Sequence, residues 1–197
     1  MPYLFALLLS SLLLSACGST PPSQFYLIIP MSPEDDSSAE GSQAGIENIG
    51  LGLGPLRFPD YLSRNSIVRY EGESRVTIAE TRRWAEPLEY SFSRVLAENL
   101  SRLLASDRIL RYPWPAWRKP EYQLTMDVIR FDFNGKNEVE LIVQWALLQA
   151  ETKTPLLEKR SHFSQSTTDD FDDIVKAHSQ VVAAFSQEIY VSMGTLN

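Results

Sequence analysis

The residues whose types and spacing most clearly indicate chemistry lie near the amino terminus, in the run Leu14-Ser15-Ala16-Cys17. An aliphatic residue and two small residues before a cysteine form the pattern of a bacterial lipobox. In that chemistry the thiol accepts a diacylglyceryl group, and cleavage then frees the cysteine amine for a further acyl chain. The small side chains allow the peptidase to hold an extended backbone beside a lipidated cysteine. The pattern therefore predicts that Cys17 is lipidated and begins the mature chain.

The segment before the cysteine agrees with this prediction. Residues 4–14 are almost wholly apolar, yet they are fewer than the roughly 20 residues that a helix needs to cross a bilayer. Such a stretch, ending in small residues, is typical of a cleaved signal peptide. We therefore expect a signal peptide over residues 1–16 and a lipidated tether over residues 17–24. An ordinary secretory signal with an incidental cysteine is the alternative, because the opening Met1-Pro2-Tyr3 carries no Lys or Arg.

The residue after the cysteine bears on the membrane. Gly18 stands there, whereas in enteric-type bacteria an aspartate at this position tends to retain a lipoprotein in the inner membrane. Several acyl chains anchor a protein stably where a single chain does not. The sequence therefore favours a domain held at the periplasmic face of the outer membrane.

Charge and composition exclude several classes of function. The net charge is −7, and no Asp, Glu, Lys or Arg precedes Cys17, so the acidity belongs to the mature chain and argues against a nucleic-acid partner. Cys17 is the only cysteine, and its lipidation would leave no thiol for a disulfide, a nucleophile or a metal site. The chain has neither a nucleophile elbow, nor a phosphate loop, nor a histidine pair at metal-ligand spacing. We expect a protein that is not an enzyme and whose only prosthetic groups are the acyl chains.

Four aspartates and one histidine invite a functional interpretation, but each has a simpler structural one. Asp169, Asp170, Asp172 and Asp173 lack the spacing of a calcium loop, and negative charge is favourable at the start of a helix. His178 falls on the apolar stripe of that helix, where we expect a buried structural side chain rather than a catalyst. No metal site is predicted.

The elements that would position these residues make one α+β domain over residues 25–197, with a largely antiparallel sheet and two main amphipathic helices. Strands are predicted at residues 25–29, 46–54, 66–70, 75–79, 108–112, 122–133, 138–150 and 157–165. One helix is predicted to begin at Pro87, and a second to follow a cap at Thr167 or Thr168. The acidic stretch near residues 30–45 is expected to be a flexible loop.

Local patterns predict further details of the sheet. The alternation of residues 122–133 changes phase midway, which predicts a β-bulge near Val128 and Ile129. Asn134-Gly135 predicts a two-residue hairpin turn, and the return strand is apolar enough to be covered on both faces. Gly50, Gly52 and Gly54 leave one strand face bare, so that a helix or another backbone can approach.

The loop of residues 113–117 carries two large aromatic side chains among prolines. Trp114 and Trp117 could fold over the sheet as a lid or bind a partner. The lid interpretation is favoured for Trp114. The two interpretations are evenly balanced for Trp117, since Arg118 and Lys119 suggest exposure.

Several stretches, in order along most of the mature chain, resemble the auxiliary lipoproteins of bacterial ABC-type and MCE-type lipid transport, the PqiC-like family. They are the lipobox with Phe25-Tyr26-Leu27, then Gly54-Pro55, Pro59-Asp60-Tyr61-Leu62-Ser63-Arg64 with Ile67-Val68, Arg83-Trp84-Ala85-Glu86-Pro87-Leu88, Val95-Leu96-Ala97-Glu98-Asn99-Leu100, Tyr112-Pro113-Trp114 and Pro120-Glu121-Tyr122. The chain departs from the family pattern around Arg64, where an acidic residue often precedes and Pro-Gln follows.

The resemblance implies a non-catalytic periplasmic subunit tethered to the outer membrane. It would work with an MCE-domain protein that spans the periplasm and with inner-membrane transport components, and it leaves a homo-oligomer open. Two rival interpretations are an outer-membrane assembly or cell-wall-associated lipoprotein and, less favoured, a lipoprotein hydrolase. The candidate partner surface comprises Pro59, Asp60, Tyr61, Arg64, Arg83, Trp84, Glu86, Trp114 and Trp117.

Overall fold

Eight strands form one mixed, mostly antiparallel sheet, and two helices pack side by side on one of its faces, in a computed structural model that describes residues 21–32, 48–72 and 74–196. The predicted α+β class is confirmed. Cys17, the predicted signal peptide of residues 1–16 and most of the predicted acidic loop lie outside the described residues. None of the helices in those three ranges is long and apolar enough to span a membrane.

The strands are numbered in chain order. They are β1 Gln24–Tyr26, β2 Leu51–Arg57, β3 Ser66–Glu71, β4 Arg75–Trp84, β5 Ile109–Arg111, β6 Tyr122–Phe133, β7 Glu138–Gln149 and β8 Pro155–Ser166. The helices are α1 Leu88–Leu103 and α2 Phe171–Gly194, and a 3-10 helix spans Asp60–Leu62. Pro87 precedes α1 instead of beginning it, and β1 ends at Tyr26, three residues before the predicted end.

Strand β6 organises the sheet. One of its edges pairs antiparallel with β7 along its whole length, and β7 pairs antiparallel with β8. Its other edge is shared, because β2 runs parallel to the first half of β6 and β3 meets it only at Phe133. Beyond β3 come β4 and then β1, while β5 flanks β2. The strands β1 and β8 therefore lie at opposite margins of the sheet.

The phase change in β6 corresponds to a bulge, as predicted. The register with β7 shifts between Val128 and Arg130, so Ile129 projects outward at 39% exposure while Phe131 returns to the core. In β7 the burial alternates between buried and half-buried positions. The prediction that β7 is covered on both faces is wrong, because the helices cover only one face of the sheet.

Two local predictions, one of a hairpin turn and one of a helix cap, also differ from the structure. The loop between β6 and β7 has four residues, since the Asn134 side-chain oxygen accepts hydrogen bonds from the backbone N–H of Lys136 and Glu138. This asparagine-closed loop has two left-handed positions, Gly135 and Asn137, and replaces the predicted two-residue turn. Asp170, not a threonine, caps α2 by accepting from the Asp172 N–H at 2.8 Å.

The predicted stripe of α2 lies in the core. Its residues Ile174, Val182, Phe185 and Ile189 are fully buried. Phe185 stacks on Phe92 of α1 at 6.3 Å between ring centroids. This packing, more than helix propensity, stabilises the 24-residue helix. Its buried residues therefore recur at the helical period, and the sequence shows that period.

Candidate partner-binding surface

The 3-10 helix after β2 is held to the sheet by one strong hydrogen bond. Leu62 is buried beneath the turn, and the Tyr61 hydroxyl donates to Oδ2 of Asp132 at 2.6 Å. Arg64 Nε donates to the Tyr61 carbonyl at 3.0 Å. Tyr61 is thus half-buried and structural, whereas Asp60 and Arg64 are exposed and Pro59 is intermediate.

Asp132 is the centre of a charge network that the sequence did not reveal. Its fully buried carboxylate also accepts from Arg130 Nε at 2.9 Å, and Arg130 Nη1 lies 2.6 Å from Glu140. Burial raises the pKa of Asp132 and the Glu140 charge adds to this, although the hydrogen bonds from Tyr61 and Arg130 oppose it. Burial and the Asp132 charge raise the pKa of Tyr61, which keeps the phenol protonated as a donor.

A second group of predicted residues surrounds the entrance to α1. Trp84 is buried, with its ring edge-on to His178 at 5.3 Å. Glu86 accepts from the Ser91 hydroxyl and from Arg94 Nη2, both at 2.7 Å. Burial opposes ionisation of Glu86, but these hydrogen bonds outweigh it and lower its pKa. Of the three residues predicted here, only Arg83 is exposed.

The two groups meet. Arg83 pairs with Ser66 across β3 and β4, and the Trp84 N–H donates to the Asn65 carbonyl at 2.6 Å. The exposed side chains of Asp60, Arg64 and Arg83 therefore belong to one region, which we call the polar patch. Trp84 is buried and the half-buried Tyr61 is bonded to Asp132, so these two residues pack beneath the exposed side chains of the patch.

In the aromatic loop of residues 113–117, Trp114 folds over the sheet, as the favoured interpretation predicted. A Cβ placed on Gly52 would lie 2.7 Å from the Trp114 ring, so the bare face of β2 receives this indole. The expected approach of another backbone is found only at Gly50, where a Cβ would lie 3.3 Å from the Glu121 backbone nitrogen, whereas side chains fill the space beside Gly52 and Gly54. Trp117 is 77% exposed, with the Arg118 guanidinium 5.4 Å from its ring centroid. An exposed indole is suited to a partner contact.

The polar patch and the aromatic loop lie at opposite ends of β6. Gly52, beneath Trp114, pairs with Gln123 near the start of that strand, whereas Tyr61 bonds Asp132 near its end. Nine residues at about 3.3 Å each separate these positions by up to about 30 Å. The exposed members of the predicted set thus lie on two separate surfaces, with Asp60, Arg64 and Arg83 on one and Trp117 on the other.

The aspartates near α2 have structural roles. Asp170 caps the helix, Asp169 forms an ion pair with Arg69, and Asp173 accepts from the Thr168 hydroxyl. Among the described residues, no group of three or more His, Cys, Asp or Glu could hold a metal ion. His178 is buried against Phe131 with Nδ1 at 2.8 Å from the Ile174 carbonyl, and burial lowers its pKa to about 4.

A groove of about 660 Å³ crosses the sheet face that the helices leave open. Its lining includes Arg57, Asp127, Glu158 and Arg160, and Arg57 pairs with Asp127 at 2.7 Å. Charges of both signs in an open groove suit solvent better than they suit an acyl chain.

The sequence pattern of one family, described as the ABC-type transport auxiliary lipoprotein component, matches residues 32–190, which is most of the chain. The chain belongs to this family. This auxiliary lipoprotein is also 27% identical over 190 residues to the intermembrane transport lipoprotein PqiC of Escherichia coli K12, covering 92% of this chain and 94% of that one. The PqiC of Shigella flexneri matches to the same extent. The predicted family resemblance is confirmed.

Solved structures share the fold of the auxiliary lipoprotein. A crystal structure of an uncharacterized protein has a TM-score of 0.70 at 21% identity, covering 88% of this chain and 99% of the other. A protein from Xanthomonas campestris has a TM-score of 0.67 at 12% identity, covering 88% and 96%. Membership of a family of transport auxiliary lipoproteins implies association with a membrane and with other transport components.

Proposed function

We propose that the auxiliary lipoprotein is anchored to the periplasmic face of the outer membrane through acyl chains on Cys17. There it serves as a non-catalytic subunit of an MCE-type intermembrane lipid transport system and supports envelope integrity. The observation that carries this proposal is the match, along 92% of the chain, to a protein named for intermembrane transport. The lipobox at Cys17 supports the anchor independently.

A lipid path across the periplasm needs a fixed terminus at the far membrane. A domain that carries several acyl chains supplies such a terminus without ATP chemistry of its own. The partner in this proposal is an MCE-domain protein that reaches across the periplasm and is linked to inner-membrane transport components. The lipoprotein holds the end of that protein against the outer membrane.

The two surfaces of the domain suit different contacts. A standard interface buries about 800 Å² per partner, which corresponds to a disc roughly 30 Å across. Surfaces up to about 30 Å apart therefore do not both lie at the centre of one such interface. We assign the MCE contact to Trp117, because tryptophan is among the residue types enriched at binding hot spots and this one is exposed.

Site-specific photocrosslinking in intact cells tests this function. A photoreactive phenylalanine analogue at Trp117 should yield an adduct with an MCE-domain protein, while the same residue at Gln144, exposed on the open sheet face, should not. Recovery of barrel-assembly or cell-wall components, without any MCE protein, would overturn the transport assignment and favour the rival interpretation.

A further inference from the structure

The first described segment of the chain exposes apolar side chains at alternate positions. Phe25 is 65% exposed, Leu27 44% and Ile29 62%, whereas Ile28 between them is fully buried. We call Phe25, Leu27 and Ile29 the amino-terminal stripe. In an extended chain alternate residues lie on one side, about 6.6 Å apart. Although β1 ends at Tyr26, Tyr26 and Ile28 both pack inward, so the stripe is an outward apolar edge at most roughly 13 Å long.

Hydrogen bonds on both sides of the stripe hold it in place. The Tyr26 carbonyl accepts from the Ala85 N–H at 2.8 Å, and the Ile29 N–H donates to the Ser179 hydroxyl of α2 at 3.1 Å. The Met31 N–H donates to the side chain of Asn99 in α1 at 2.9 Å. The outward direction of the three side chains is thus imposed by the fold, since both helices fix the backbone between them.

A fixed and contiguous apolar edge differs from a scattered exposed leucine. Single apolar residues on a surface are normal, but contiguous ones mark a protein or membrane contact. Arg83, which is exposed, pairs with Phe25 in the register of β1 and β4. A cation beside apolar side chains is the combination found where proteins meet a surface of anionic headgroups.

The short chain between the stripe and Cys17 favours the membrane as the surface that the stripe contacts. Phe25 follows Cys17 by eight residues, and a fully extended chain spans at most about 3.6 Å per residue. Phe25, the first residue of the stripe, therefore lies at most roughly 29 Å from the lipidated residue. We propose that the amino-terminal stripe inserts into the headgroup region of the membrane that holds the acyl chains.

This inference rests on the lipidation of Cys17 in the proposed function and adds an orientation to it. Anchoring makes the second contact intramolecular, so even a weak interfacial affinity suffices at the high effective concentration that a short tether provides. Because β1 and β8 are opposite margins of the sheet, five strand spacings of about 4.8 Å place β8 roughly 24 Å from the membrane-facing margin. The β1 margin of the domain therefore faces the membrane.

A unique thiol makes the contact measurable. Cys17 is the only cysteine, so after lipidation Leu27→Cys offers one site for an environment-sensitive fluorophore. The matched control is Leu156→Cys on β8, which is 39% exposed. Full-length lipidated proteins are reconstituted in vesicles of phosphatidylethanolamine with a minority of phosphatidylglycerol. Some vesicles carry a nitroxide on the acyl chains near the headgroup, and flotation of each sample reports the anchor separately.

The nitroxide should lower the emission at position 27 about twofold or more relative to position 156, as expected for a side chain at the headgroup boundary. Adding Phe25→Ser and Ile29→Ser to the labelled Leu27→Cys protein should abolish that quenching while flotation persists. If labelled protein floats but the two positions are quenched equally, the stripe proposal is wrong and the anchor stands. A shifted emission at position 27 without quenching would also overturn it, since protein then covers the stripe. Protein that fails to float contradicts the anchor itself.

Discussion

The Tyr61 hydroxyl donates a 2.6 Å hydrogen bond to the fully buried carboxylate of Asp132. This bond joins the turn after β2 to the far end of β6, residues that are 71 positions apart in the sequence. Arg130 Nε donates a hydrogen bond to Oδ1, the other oxygen of the same carboxylate. The turn that carries Asp60 and Arg64 of the polar patch is therefore tied to a buried acid.

Replacement of Tyr61 by phenylalanine should destabilise the domain. The change removes the donor and leaves one oxygen of a buried carboxylate without its partner, which costs about 1–3 kcal/mol. Urea denaturation measures the effect. Tyr112→Phe is the control, because Tyr112 is 60% exposed and the loss of an exposed hydroxyl should change stability by less than about 0.5 kcal/mol. Equal effects for the two variants would show that the Tyr61–Asp132 bond contributes nothing specific.

His178 should make the domain sensitive to mild acid. Its pKa falls to about 4 in the folded state because the ring is buried, while an unfolded histidine titrates near 6.5. The folded state therefore binds fewer protons than the unfolded state between these values. The stabilising contribution is complete above pH 6.5 and is lost as the pH falls toward 4, by about 3 kcal/mol in total.

Denaturation at pH 7.5 and pH 5 tests this dependence. His178→Leu should lose about 2 kcal/mol less than the wild type between the two pH values, since it has no ring to protonate. His162→Gln serves as the control, because it removes a histidine whose side chain is 57% exposed instead of buried. A His178→Leu protein as acid-sensitive as the wild type would contradict the assignment.

Gly52 should not tolerate even a methyl group. Its Cβ would lie 2.7 Å from the Trp114 ring and 3.0 Å from Pro120, so Gly52→Ala should cost about 1–3 kcal/mol through overpacking. Trp114→Ala in the same chain should recover part of that loss, because it removes the ring that the methyl group strikes. Strict additivity in this double-mutant cycle would show that Gly52 and Trp114 do not pack together.

Local sequence patterns predicted the elements in which apolar residues recur at a regular period. The stripe of α2, the long strand β6 and its bulge near Val128 were all legible because the alternation of apolar residues reports which side faces the core. The prediction over-extended β1, since the residues after Tyr26 leave β4 and bond instead to side chains of the helices. Those partners are more than 60 positions away in the sequence.

The candidate surface was harder to predict for the same reason. Sequence could place Trp84 and Tyr61 in family motifs, but not decide that Trp84 packs on His178 or that Tyr61 bonds Asp132. Asp132 gave no signal of burial, because a charged residue inside an alternating strand is usually exposed. Its environment combines Arg130 and Glu140 of the β6–β7 hairpin with Tyr61, which lies 71 positions away in the sequence.

Lipid on Cys17 holds this subunit at the outer membrane in the proposed function. The decisive measurement is mass spectrometry of the amino-terminal peptide, from protein recovered in the outer-membrane fraction of its host. We expect a chain that begins at Cys17 and carries a diacylglyceryl group on sulfur with an acyl chain on the amine. A mature chain that begins elsewhere, or that keeps Cys17 as a free thiol in a soluble periplasmic fraction, would contradict this expectation.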